Sequence, residues 1–270
     1  MSVVQSQRDL DAETRAFYCD ALAVLGAARV PFMVGGAYAF ARYTGIERHT
    51  RDFDVFVRPG DCRRVLDTFV RAGYHAELTF SHWLGKVHRG DAYVDVIFSS
   101  GNGAATVDDG WFEHARNGTI LDVPVKVCPP EEMVWSKAYV MERERFDGAD
   151  VQHLLLACAA DFDWQRLLDR FGTDWRVLLA HLTLFDYVYP AERAKMPGWV
   201  RNELARRAAL DAAPVPGEQG RVCYGTMLSR EQYLVDVQER GFKDARPMRG
   251  GTMTAEQVEE WTRAIAQKDE

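Results

Sequence analysis

The sequence predicts an α+β fold: a small mixed β-sheet flanked by helices, followed by a helical segment. Three observations carry that prediction. A short apolar run, Pro31-Phe32-Met33-Val34, closes on Gly35-Gly36 and leads into the alanine-rich Ala37-Tyr38-Ala39-Phe40-Ala41, which reads as strand, glycine turn and helix. Between residues 52 and 98 several strand-length stretches alternate polar and apolar side chains. From residue 131 the apolar spacing becomes three and four, the period of helices.

Each element follows in order. Residues 10–27 place Phe17, Ala21, Leu22 and Leu25 on one helical face. After the glycine unit, residues 52–57 read as a strand that Pro59-Gly60 stops. Asp61 is expected to cap a helix covering Val65, Leu66, Phe69 and Val70, with Gly73 ending it. Residues 75–80, 83–88 and 93–98 are expected strands, and Gly90-Asp91 is the turn between the last two. A surface loop is expected over residues 99–110 and a β pair over 119–127. Helices are expected over 131–145, 151–160, 164–171 and 175–187, and shorter ones over 230–239 and 255–266.

The expected organisation is a domain over residues 1–128 that holds the candidate chemistry, a helical segment packed on it over 129–210, and an appendage of unassigned role over 211–270. The linker is placed at 211–220, where Pro214, Pro216 and Gly217 cluster. A lid or partner surface is the expectation for 221–251. Five scattered cysteines without a Cys-x-x-Cys pair fit a reducing compartment. No apolar run is long enough to span a bilayer, and the first fifteen residues are too polar for a signal peptide, so a cytoplasmic location and no membrane partner are expected. The net charge of −7 argues against a surface broadly adapted to polyanions, although Arg42, Arg48 and Arg51 form a local basic stretch.

The feature that bears on chemistry is an ordered set: Gly35-Gly36, then Asp52-x-Asp54 on a strand, then Asp95 between Val94 and Val96 on a later one. Residues two apart on a strand face the same way, which brings the first two carboxylates within about 7 Å. Carboxylates that close repel unless a cation joins them, and hard oxygen ligands suit Mg²⁺ or Mn²⁺. Taken singly, each piece has an ordinary structural explanation. Together and in this order they point to a metal-binding site, with the helix start after Gly36 as a place for an anion.

These residues resemble the nucleotidyltransferase superfamily of DNA polymerase β type, whose signature is an apolar residue with Gly-Gly or Gly-Ser, then Asp-x-Asp or Asp-x-Glu, then a third carboxylate. Here that pattern is Val34-Gly35-Gly36, Asp52-Phe53-Asp54-Val55 and Asp95. Through Arg48-x-Thr50-x-Asp52-x-Asp54 the resemblance is nearest to small bacterial members, including abortive-infection toxins and antibiotic nucleotidyltransferases. It covers roughly residues 30–155 and implies a nucleotidyltransferase fold. It further implies a two-ion phosphoryl transfer with Asp52, Asp54 and Asp95 as catalytic metal ligands, and Gly35, Gly36, Arg48, Thr50 and Lys137 binding nucleotide. An NTP would then donate its NMP to a hydroxyl on a small molecule, a protein or an RNA end, the small molecule standing ahead of RNA. The alternative is an inactive binding or regulatory protein on the same fold, such as a toxin–antitoxin component.

Lys137 stands four residues from both Met133 and Met141, so a helix through 145 puts it on the apolar face, where it needs a triphosphate or carboxylate partner. A snorkelling lysine is the competing reading. Arg145, Asp147 and Asp150 read as a salt-bridge and capping arrangement. His82 and His88 lack zinc-like company, His49 reads as a solvated loop residue beside the site, and Trp83, Trp111 and Trp135 read as packing residues.

Overall fold

The computed structural model describes residues 10–48, 50, 52–210, 221–248 and 253–266. The chain forms two compact units, residues 1–129 and 130–270.

The first unit begins with α1 (Ala12–Ala27), whose N-terminus Asp11 caps by accepting from the Thr14 N–H at 2.8 Å. Then come β1 (Met33–Val34), α2 (Gly36–Thr44), β2 (Asp52–Phe56), α3 (Pro59–Arg71), β3 (His75–Phe80), β4 (Leu84–Arg89), β5 (Ala92–Ile97), α4 (Asp109–Glu113), β6 (Arg116–Ile120) and β7 (Val123–Val127). The strands make one seven-stranded sheet in the order β3-β4-β5-β2-β1-β7-β6. The β2–β5 and β1–β7 pairs are parallel and the remaining pairs antiparallel, so the sheet is mixed as the sequence predicts.

One face of this sheet carries the core. Phe53, Val55, Val87, Val94 and Val96 are buried there with Phe17, Leu22 and Leu25 of α1 and Val65, Leu66 and Phe69 of α3. The Tyr18 ring stacks on Phe53 and Tyr38 meets Phe53 edge-on, both at 5.0 Å between centroids, contacts worth about 0.5–1.5 kcal/mol each beyond their buried area. Because side chains alternate along a strand, burying Phe53, Val94 and Val96 turns Asp52, Asp54 and Asp95 to the opposite face.

Two boundaries differ from expectation here. Helix α3 starts at Pro59, not after Asp61: proline at the first helical position loses no needed hydrogen bond, so the residue expected to stop the strand opens the helix. Asp61 falls in its first turn. Within the expected loop over 99–110, Asp108 accepts from the Trp111 N–H and starts the short α4, whose Trp111 is buried and stacks on Phe56 at 5.5 Å.

The second unit is mainly helical: α5 (Pro130–Lys137), α6 (Gly148–Cys158), α7 (Trp164–Phe171), α8 (Trp175–Val188), α9 (Gly198–Leu210), then β8 (Val222–Cys223), α10 (Leu234–Gln238), β9 (Lys243–Asp244) and α11 (Ala255–Ala266). Helix α5 ends at Lys137, so the helix expected through residue 145 is corrected. The chain turns back instead: Met141 bridges Phe146, and the Asp147 N–H donates to the Val140 carbonyl at 3.1 Å. Ion pairs are built into the interior of this unit. Fully buried Glu132 pairs with Arg166 and Arg170, and Arg166 also reaches Glu131 at 3.0 Å. Arg246, 1% exposed, is held by Asp244 at 2.6 Å. Within the stretch expected as a lid or partner surface, this arginine is therefore a packed interior group.

No helix among the described residues is long and apolar enough to cross a membrane, and none of the five cysteines is in a disulfide. The expected linker at 211–220 lies outside the described residues.

Candidate active site

The polar face of the sheet is where the three acids meet. β2 and β5 run parallel and in register, with Asp52 opposite Tyr93 and Asp54 opposite Asp95. Adjacent strands lie about 4.8 Å apart, so register alone makes Asp54 and Asp95 neighbours, and the pleat adds Asp52 on the same side. One carboxylate oxygen from each of Asp52, Asp54 and Asp95 lies within 4.8 Å of the others, the sole such cluster of possible metal ligands among the described residues.

The glycines fit this geometry. The Gly35 N–H donates to the Asp54 carbonyl at 3.0 Å and so ties the start of α2 to β2. Gly36, the first residue of α2, has φ +53°, and a Cβ built there would stand 1.6 Å from Asp54 Oδ2. Any side chain at 36 would therefore displace the carboxylate, besides straining a left-handed backbone. The open space at this helix start holds an acidic side chain, at the end of a helix where partial positive charge favours it.

Neighbouring polar groups orient the acids. The Thr50 hydroxyl donates to the Asp52 carboxylate in a short hydrogen bond. Lys86 of β4 lies directly opposite Asp95, and its ammonium donates to Asp95 Oδ1 at 2.7 Å. Burial raises the Asp95 carboxyl above the ordinary range; the Lys86 hydrogen bond and charge oppose that, and the nearby Asp52 charge adds to it. Tyr38, behind the sheet, is pushed up to about 12 by burial and then by the Asp52 charge.

Lys86 was not singled out from the sequence, although the signal was present. Once Gly90-Asp91 is taken as a two-residue turn, Arg89 pairs with Ala92, and counting outward places Lys86 opposite Asp95.

The remaining candidates have contacts of their own. Arg48 is exposed, with its guanidinium 4.6 Å from the Phe40 ring centroid. His49 and Arg51 lie outside the described residues. Lys137 has the carboxylate company expected for a withdrawn lysine: Asp147 at 2.8 Å and Asp150 at 2.9 Å, with Arg145 also on Asp147. With α5 ending at 137, Met141 is no longer one helical turn along its face, and the amine is directed by these two acids. Of the other aromatic and histidine residues, His82 bonds the Gly101 carbonyl, His88 meets Glu77 at 3.5 Å, Trp83 stacks on Phe80, and Trp111 and Trp135 are buried. A cavity of about 490 Å³ opens beside Thr50, lined also by Asp11, Glu13, Phe17, Arg89 and Asp91.

The sequence matches no family model and none of the curated proteins. Among solved structures, the neighbours include antibiotic nucleotidyltransferases and a nucleotidyltransferase-like protein. The antibiotic-resistance factor ANT(2'')-Ia aligns at 17% identity over 67% of this chain and 100% of that one, with a TM-score of 0.42. The lincosamide antibiotic adenylyltransferase LnuA aligns at 18% identity over 53% and 96%, with a TM-score of 0.38. An antigenic nucleotidyltransferase-like protein from Paracoccidioides brasiliensis aligns at 13% identity over 68% and 91%, with a TM-score of 0.40. Likeness this distant leaves the chemistry to be argued from the chain's own residues.

Proposed function

We propose that this protein is a nucleotidyltransferase that moves an NMP from an NTP to an acceptor hydroxyl. The observation that carries the reading is the convergence of Asp52, Asp54 and Asp95, on two parallel strands in register, to within 4.8 Å of one another. The donor set fits a hard divalent cation: three carboxylates offer oxygen ligands at a spacing a shared ion of Mg²⁺ or Mn²⁺ type can bridge, while leaving positions for phosphate oxygens. Two such ions, when bound, would neutralise charge on the triphosphate and at the attacking oxygen.

The chain's own residues have the following parts. Asp52 and Asp54 would hold the metal that accompanies the triphosphate, and Asp95 would serve the reacting end. Thr50 keeps the Asp52 carboxylate turned into the cluster. Gly36 leaves room for Asp54. Arg48, Gly35 and Lys137 are assigned to nucleotide on the sequence pattern. In the transfer a bond forms between the acceptor oxygen and the α-phosphorus, the bond to pyrophosphate breaks, and the hydroxyl proton passes to solvent. Positioning and charge stabilisation supply nearly all of such catalysis.

A small polar molecule is the favoured acceptor. The net charge of −7 disfavours a nucleic acid backbone, and the cavity beside Thr50, which Arg89 lines with Asp11, Glu13 and Asp91, is predominantly acidic.

The experiment is incubation of the full chain with each of the four labelled NTPs, Mg²⁺ and a pool of hydroxyl compounds, alongside Asp54→Asn. Transfer is expected with at least one nucleotide and lost in the variant. If no NTP yields transfer and none binds in a metal-dependent way, the proposal is wrong; metal-dependent binding without transfer would point to the regulatory alternative.

A further inference from the structure

Asp95 already has a cation. The Lys86 ammonium sits 2.7 Å from Asp95 Oδ1 and 3.8 Å from the centroid of the Tyr93 ring, so a carboxylate and an aromatic face hold it together. Both partners are withdrawn from solvent, with side chains 22% and 13% exposed. The pairing is set by the ladder, because β4 and β5 place Lys86 and Asp95 directly across from each other.

A divalent ion sharing Asp95 would have to approach one of its oxygens to about 2.1 Å. It would then lie a few ångströms from a fixed ammonium in a partly desolvated site, where like charges repel far more strongly than in water. Moving the ammonium aside would cost it both its carboxylate and its ring.

We infer that Lys86 occupies, as a built-in unit charge, the place on Asp95 that a second divalent cation would take, so that the free protein binds one such ion tightly and a second only weakly. The inference rests on the reading of the three acids as metal ligands. Asp52 and Asp54 then hold the tight ion, and the second becomes well bound only when triphosphate oxygens add their negative charge. Lys86 is a positioning residue here. It sets the charge that Asp95 presents and touches no reacting atom.

Titration of the nucleotide-free full chain with Mn²⁺, followed by electron paramagnetic resonance of the unbound ion, tests this. Wild type is expected to show one tight ion and a second at least about tenfold weaker. Lys86→Met is expected to tighten the second by at least about tenfold, and Lys86→Arg, which keeps the charge, to behave as wild type. Thermal melting checks that each variant folds, and Lys86→Gln, which keeps a hydrogen bond to Asp95, replaces the methionine variant if that one melts early. Two ions of equal affinity in wild type, or a second affinity unchanged in the neutral variants, overturns the inference while leaving the metal site intact. Undiminished Mn²⁺ binding by Asp54→Asn overturns the site reading itself, and the role of Lys86 with it.

Discussion

Both units gather acidic side chains in partly or wholly buried places, and they do so in opposite ways. In the second unit the acids are interleaved with cations: Glu131 and Glu132 with Arg166 and Arg170, Asp147 and Asp150 with Lys137 and Arg145, Asp244 with Arg246. In the first, Asp52, Asp54 and Asp95 converge within 4.8 Å of one another, three acids with Lys86 as the cation on Asp95. Interleaved charges stabilise a fold or at least remove the cost of desolvation, whereas converging like charges oppose it. Such convergence therefore indicates a site kept for something other than stability.

Breaking the converging cluster should have the largest effect. Asp54→Asn is expected to lower turnover by roughly a thousandfold, the scale seen when one preorganised charge-stabilising group is lost. Its thermal midpoint should hold or rise through relief of repulsion; a steady-state assay paired with a melt reads both. An equal loss of stability would make the cluster an ordinary structural one.

The interleaved cluster should respond in reverse. Arg166→Met takes the cation from Glu131 and leaves fully buried Glu132 with Arg170 alone, and should destabilise by about 2–3 kcal/mol in urea unfolding while leaving Mn²⁺ affinity per folded molecule unchanged. Gly36→Ala tests the boundary between the two kinds of effect. Its methyl cannot share space with Asp54 Oδ2, so Mn²⁺ affinity should fall about tenfold or more, with a stability cost of about 1–3 kcal/mol from the left-handed backbone.

The smallest effect is in acid. Burial raises the Asp147 carboxyl, but Arg145 and Lys137 outweigh it and hold the group below its ordinary range. A depressed folded value means that the unfolded chain binds the proton first. The contribution is thus complete above the unfolded carboxylate value near 4 and fades as pH falls through the lower folded one. Melting midpoints measured from pH 6 downward should drop less steeply in Asp147→Asn than in wild type.

The converging site was legible in the sequence because strand geometry is local: Asp-x-Asp on alternating residues fixes a shared face, and the valines around Asp95 fix which face is buried. What the sequence did not disclose depends on partners far along the chain. The end of α5 is decided by a turn that brings Asp147 and Asp150 to Lys137, and a run of Glu and Arg from 142 to 145 is as good a helix as any until that turn is known. The two-residue strands β8 and β9 are too short for any period to announce them. Lys86 lies between these extremes, since it follows from the hairpin but only after the hairpin is trusted.

That hairpin turns at Gly90, whose backbone is left-handed at φ +58°, with Asp91 completing a loop of two residues. Such a short connection acts as a reading frame for the pairing it joins. Exchanging residues at its tip should be tolerated wherever positive φ is, but adding a single one while the loop stays at two residues would bring Val87 or Gly85 opposite Asp95 and rotate an ammonium toward the aliphatic interior. Lineages related to this chain should accordingly vary the identity of the tip freely while holding its length constant.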